Sequence, residues 1–484
     1  MRVFHKIVVA AFLLLPGGPS AHADIGLLLN AKPNVRWELG TAEITGEGHS
    51  AVYLSRVCPA SPVKLRLCGP GENGSVIQSY QDYKEDKPYE WNVVPLNIYL
   101  YGVEDLRDQP LFGSPQIRKL LQERYRDEYM QQLCSTPSCL SSQDANWRDA
   151  VAAAFVREIY IFEVHTTLEQ DEAFIRKFNA RPNVNHYNGF TRNCADFAKL
   201  VVNTYFPHSA HRDLLNDFGM TGPKAIARSF SHYAEHHPQL EFHVIRIEQV
   251  PGTYKRSSDC REGTEQTFRS LKWLLPMLIL GTHEVPVLAA SYLLTGRFNP
   301  DHEMHSRPSE DAAQLYLRLA EAKRSGDQIR ERELRQQLQA ERSSQLGEEQ
   351  QWQQYRERFE EIVRTAIDDG AIADRDQLHK MFRQLQAEGR PYLDSTAEPW
   401  LEVQTGGQLR RVGLSASNLF SPGSDPQLAL RLVLARTDSV ITAKSKHREL
   451  WPEFQSDWAL LQQAEEVLAG RGSGAVIATR ASAP

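Results

Sequence analysis

Apolar and polar positions alternate in short runs through the first half of the chain and pass to helical spacing in the second. Residues 51–57 and 63–67 alternate with period two around a Pro/Ser turn, which predicts a hairpin. The Gly/Pro/Asn-rich stretch 69–74 then closes the second run in a loop. Residues 91–101 mix aromatic and aliphatic side chains and read as a strand followed by a turn of helix. Residues 115–133 have the spacing of a charged amphipathic helix, and 146–157 predict another, feeding the strand-like run 158–164. Helical spacing returns over 168–179 and again from Cys194 to about Tyr205. Strands and helices mixed in this way predict an α+β fold with an antiparallel sheet as its simplest layering.

The pattern changes beyond residue 250. The stretch from Leu271 to Leu294 is nearly long enough to cross a bilayer, but His283 and Glu284 fall at its centre beside prolines. Ionisable groups there are costly in lipid, which favours a helical hairpin or an element lying at a membrane surface. Residues 310–367 are rich in Glu, Gln, Arg and Leu with broken heptads, the signature of long solvated helices. A hairpin is expected at 401–414 around Gly406 and Gly407, and helix over 428–469. The resulting division is a leader over 1–23, an α+β domain over 24–250, the apolar segment over 251–300, a mainly helical domain over 301–470 and a disordered tail over 471–484.

Composition narrows the function classes. The chain has 484 residues, enough for two or three domains, with 41% hydrophobic and 24% charged residues, as in ordinary globular proteins. A net charge of −6 with Arg and Glu interspersed gives no footing for nucleic acid. Arg2 and Lys6 precede the apolar run 7–15, a Pro/Gly break follows, and Ala21-His22-Ala23 supplies a small-residue cleavage site. These are the parts of a secretory signal, so the mature chain is expected to begin near Asp24 in a secreted or periplasmic setting. Six cysteines in an oxidising compartment invite pairing. Cys58 with Cys68 closes a hairpin and Cys134 with Cys139 clamps a turn. Cys194 and Cys260 are then left, either as a third bridge or as thiols.

Cys194 carries the most chemistry. Turn-forming residues from Tyr187 to Asn193 run into the helix that it opens, so the thiol sits at the positive end of a helix dipole, where a thiolate and later an oxyanion are favoured. Upstream, Gly48-His49-Ser50-Ala51-Val52-Tyr53-Leu54 places a histidine at the mouth of a strand, the base that such a thiol needs.

A histidine strand followed much later by Tyr-x(5)-Asn-Cys-x-x-Phe resembles the circularly permuted papain-like thiol hydrolases, in the lecithin–retinol acyltransferase-like and bacterial periplasmic cell-wall-hydrolase branches. The resemblance covers residues 40–210 at most. His49 matches the histidine strand, and Tyr187, Asn193, Cys194 and Phe197 match the nucleophile segment. It implies a permuted papain-like fold, with Cys194 attacking an acyl carbonyl, His49 as base and then acid, and Asn193 and Tyr187 in support. The substrates implied are amide bonds of cell-wall peptides or lipid acyl esters. Two departures stand out. Asp196 occupies the position where the acyltransferase branch carries a histidine. The strand Lys64–Leu67, where the orienting third residue is sought, offers only Lys64 and Arg66.

Six histidines between His208 and His243 form the other notable group. His232 and His236 stand at i, i+4, a spacing able to bind zinc, but no cysteine lies near and the His-Glu-x-x-His motif is absent. They read as surface and loop histidines, and no metal or cofactor is expected. The rival account of the chain is a catalytically silent structural or interaction protein of the cell envelope, associated with a membrane surface through Leu271–Leu294.

Overall fold

A computed structural model describes residues 23–33, 48–79, 89–132, 146–269, 284–295, 298–301, 328–405, 407–444 and 453–470. Six strands build the main sheet: β1 (Ala23–Asn30), β2 (His49–Leu54), β5 (Ser75–Gln78), β6 (Asn92–Pro95), β7 (Ile159–Thr166) and β8 (His243–Ile247). Their order is β6-β5-β2-β1-β7-β8, antiparallel throughout. The architecture is therefore α+β with an antiparallel sheet, as the residue pattern predicts.

Strand parity sorts the sheet into two apolar faces. Leu28, Ala51, Val76, Val94 and Ile161 enter a first core with α1 (Leu96–Tyr101) and α2 (Pro115–Tyr129). Leu27, Leu29, Val52, Ile77, Val93 and Phe162 enter a second core. The helices of that second core are α3 (Leu168–Ala180), α4 (Cys194–Tyr205) and α5 (Pro223–Glu235). Helices therefore cover both faces.

Two local expectations are corrected. The run 51–57 is not one strand: β2 ends at Leu54, a turn at Ser55-Arg56 intervenes, and β3 (Val57–Ser61) pairs instead with β4 (Lys64–Leu67) in a separate two-stranded sheet. Cys58 and Cys68 staple that hairpin with a disulfide. The run 146–157 is not an α-helix but two short 3₁₀ turns, Asn146–Ala150 and Ala153–Phe155. Between them Ala152 lies in the left-handed region at φ 54°, which ends any helical hydrogen-bond ladder there.

After the main sheet, α6 (Gly263–Arg269) and α7 (Glu284–Thr295) are followed by the 41-residue α8 (Gln328–Asp368) and by α9 (Arg375–Glu388). A three-stranded antiparallel sheet follows, from β9 (Gly389–Leu393), β10 (Pro399–Thr405) and β11 (Gln408–Gly413), and then α10 (Pro426–Lys444) and α11 (Phe454–Leu468). The β10–β11 pair is the hairpin expected at 401–414. Side chains of α8 to α11 join the first core, so this half is fastened to the main sheet's helices. Leu111 N–H donates to Leu414 O at 2.7 Å, and Arg436, held by Asp457 at 2.8 Å, donates from Nη1 to Leu111 O at 2.9 Å.

Among the described residues no helix is long and apolar enough to cross a membrane. Residues 1–22, 270–283 and 471–484, with Cys134, Cys139 and His283, lie outside the described set, and with them most of the leader, the expected Cys134–Cys139 clamp and half of the apolar stretch.

Candidate active site

Asn193 starts the Cys194 helix by a reciprocal cap. Its Oδ1 accepts from Asp196 N–H at 2.9 Å, and Asp196 Oδ2 accepts from Asn193 N–H at 3.4 Å. The Asn193 amide nitrogen donates to Gly189 O and Thr221 O at 3.1 and 2.9 Å. Its role is thus to hold the turn. Asp196 is fixed in the same network by Thr221 Oγ1 at 2.6 Å and Lys199 Nζ at 2.9 Å. Tyr187 borders a groove of about 180 Å³ beside the cap, lined also by Tyr89, Arg192, Asn193, Asp196 and Phe197.

His49 is the first residue of β2, and its Nε2 lies 3.3 Å from Gln78 Oε1 on the adjoining β5. A carbonyl oxygen only accepts, so Nε2 carries the proton and the lone pair is left on Nδ1. Burial, then the positive charge of Arg157, pushes the imidazole pKa down to about 3, against the Gln78 bond and the Asp149 charge. The ring is neutral at pH 7. Across the strand pair His49 faces Asn30, whose Nδ2 donates to Tyr99 OH at 2.6 Å. Burial pushes the Tyr99 pKa up to about 12, with Arg157 opposing and Cys194 and Asp149 adding to the rise. Tyr99 thereby feels Cys194 and shares two charged neighbours with His49.

His49 and Gln78 have the strand parity of Ala51 and Val76 in the first core, whereas α4 packs on the second. Cys194 and His49 are each only 9% exposed. Neither Cys194 nor Cys260 forms a disulfide, so the bridge weighed for them is absent. Cys260 Sγ donates instead to Asn30 O at 3.1 Å, beneath the residue that faces His49.

No family model, curated protein or solved structure matches this chain. The site is therefore read from its own geometry.

Gln78 is the orienting group that sequence reasoning missed. The β3–β4 hairpin is inserted between β2 and β5, so the next strand in sequence is not the neighbour in the sheet. A polar residue ending the apolar strand Ser75-Val76-Ile77-Gln78 was the available signal.

The depressed imidazole has a consequence for stability. Between pH 6.5 and about 3 the unfolded chain binds a proton at His49 that the native protein does not, so this contribution is full above pH 6.5 and is lost as pH falls. It amounts to a few kcal/mol at most. Buried Glu262, pushed up to about 7 mainly by desolvation, acts in the opposite sense over its own range. The difference in urea midpoint between wild type and His49→Asn isolates the histidine. It is expected to shrink as pH falls from 7 to 4; a constant difference would contradict the buried neutral ring.

Proposed function

We propose that this protein is a secreted or periplasmic thiol hydrolase or acyltransferase with a permuted papain-like N-terminal domain, acting on an amide or ester bond of cell-envelope material. The observation that carries the reading is the bond between Gln78 Oε1 and His49 Nε2, which orients a neutral imidazole with its lone pair on Nδ1. Cys194 Sγ gives its proton to His49 and attacks the acyl carbon. The backbone N–H of Cys194, at the positive end of α4, is the donor assigned to the developing oxyanion. His49 then returns the proton to the leaving amine or alcohol. Water, deprotonated by the same imidazole, releases the acyl group and restores the thiol. A neutral His49 makes this general-base catalysis, not a preformed thiolate–imidazolium pair.

Burial favours a second reading. Two groups only 9% exposed also suit a catalytically silent envelope protein in which both are packing residues. Alkylation of the native chain by iodoacetamide, mapped by peptide mass spectrometry, separates the two. The hydrolase reading expects Cys194 to label in preference to Cys260, His49→Ala to slow this by on the order of 10²-fold, and Gln78→Leu to slow it by about tenfold. Labelling of Cys194 only in denaturant, or at a rate indifferent to His49, would leave the silent reading standing.

A further inference from the structure

We propose that the C-terminal end of α5 is a binding site for a divalent transition metal of the zinc class, formed by His232, Glu235 and His236. The sequence His232-Tyr233-Ala234-Glu235-His236 puts these three residues at i, i+3 and i+4, on one side of a helical turn. One donor atom from each lies within 4.8 Å of the others, and all three side chains are exposed. A metal about 2.1 Å from each donor needs them about 3.4 Å apart. Closing that gap takes small rotations of side chains that stand in solvent.

Local chemistry prepares the ligands. His236 Nδ1 donates to His232 O at 2.8 Å, which fixes its tautomer and leaves the Nε2 lone pair as the ligand atom. His232 Nδ1 already lies 3.7 Å from Glu235 Oε2, with the two imidazole rings 4.4 Å between centroids. Two imidazoles and a carboxylate select zinc, nickel or copper over magnesium and calcium, which prefer all-oxygen shells. Three donors from one turn of an exposed helix leave the outer coordination positions to water. The arrangement is the reversed zincin spacing His-x-x-Glu-His, here on a convex surface without a surrounding cleft. The site is independent of Cys194 and of any reading of the fold's activity.

The test is calorimetric titration of the full chain with Zn²⁺ at pH 7.5, using wild type, His232→Ala, His236→Ala and the His232→Ala/His236→Ala pair, with His211→Ala as a control outside the triad. Solvent-facing positions make loss of the fold a minor concern, which a circular dichroism melt of each variant checks. A site at the end of α5 expects one zinc bound, affinity weakened roughly tenfold or more by either single change and abolished by the pair, and no response to Mg²⁺. Acidification to pH 5 should release the ion, because protons compete for the imidazoles. Absence of zinc binding in wild type, or binding that the double variant retains unchanged, would overturn the proposal.

Discussion

Gly48→Ala is expected to destabilise the protein by at least about 3 kcal/mol and to remove whatever reactivity Cys194 owes to His49. A Cβ at position 48 would lie 1.7 Å from the Asn30 carbonyl oxygen and 2.5 Å from Cys260 Sγ. The first obstacle is backbone of the central strand, so β2 must move away from β1 at the point where Asn30 pairs with His49. Shifting His49 also breaks its register with Gln78. The readouts are a lower urea midpoint and a loss of His49-dependent Cys194 alkylation. Gly189→Ala is the control, since its Cβ would meet nothing within 4 Å and should cost no more than about 0.5 kcal/mol. A Gly48→Ala protein as stable and as reactive as wild type would mean that the β1–β2 contact is looser than described.

Arg436→Ala is expected to cost about 3–5 kcal/mol, because the guanidinium is buried and has two obligations. It pairs with Asp457 at 2.8 Å and supplies Nη1–H to the Leu111 carbonyl, so its removal strands a buried carboxylate and an acceptor in the other half of the chain. Burying the charge and the pull of Asp457 act against each other on the Arg436 pKa, with the net effect upward, so the group stays ionised. The double variant Arg436→Met/Asp457→Leu removes both charges and is expected to recover much of the loss. Thermal melts of wild type, Arg436→Met, Asp457→Leu and the double variant give the coupling directly. Near-equal losses in the single and double variants would show that packing, not the ion pair, holds the joint.

How far the sequence foretold these features depends on the range of the interaction concerned. Asn193 and Asp196 form a reciprocal cap, and Thr167 and Gln170 another at the start of α3, each satisfied within three residues. The start of the Cys194 helix and the Cys58–Cys68 staple were therefore legible. Strand β1 was not, although it lies between β2 and β7 in the sheet. Its Ile25-Gly26-Leu27-Leu28-Leu29 is buried on both faces, so it lacks the alternation that marks a half-buried strand. The triad at the end of α5 was half seen, since the two histidines stood out while the glutamate between them was passed over.

By itself the sequence determined the helices that open at Pro115, Leu168 and Cys194, the hairpin at 401–414 and the placing of a thiol at a helix N-terminus, because capping, turn chemistry and short-period burial act over a few residues. Only the tertiary structure decided that β5, not β4, lies beside the histidine strand and that Gln78 holds His49. It also decided that α8 to α11 share a core with the first half through Leu111, Leu414 and Arg436. These outcomes depend on which distant segments close on one another, and strand pairing is selected by burial on both faces of a sheet whose members are scattered from residue 23 to residue 247.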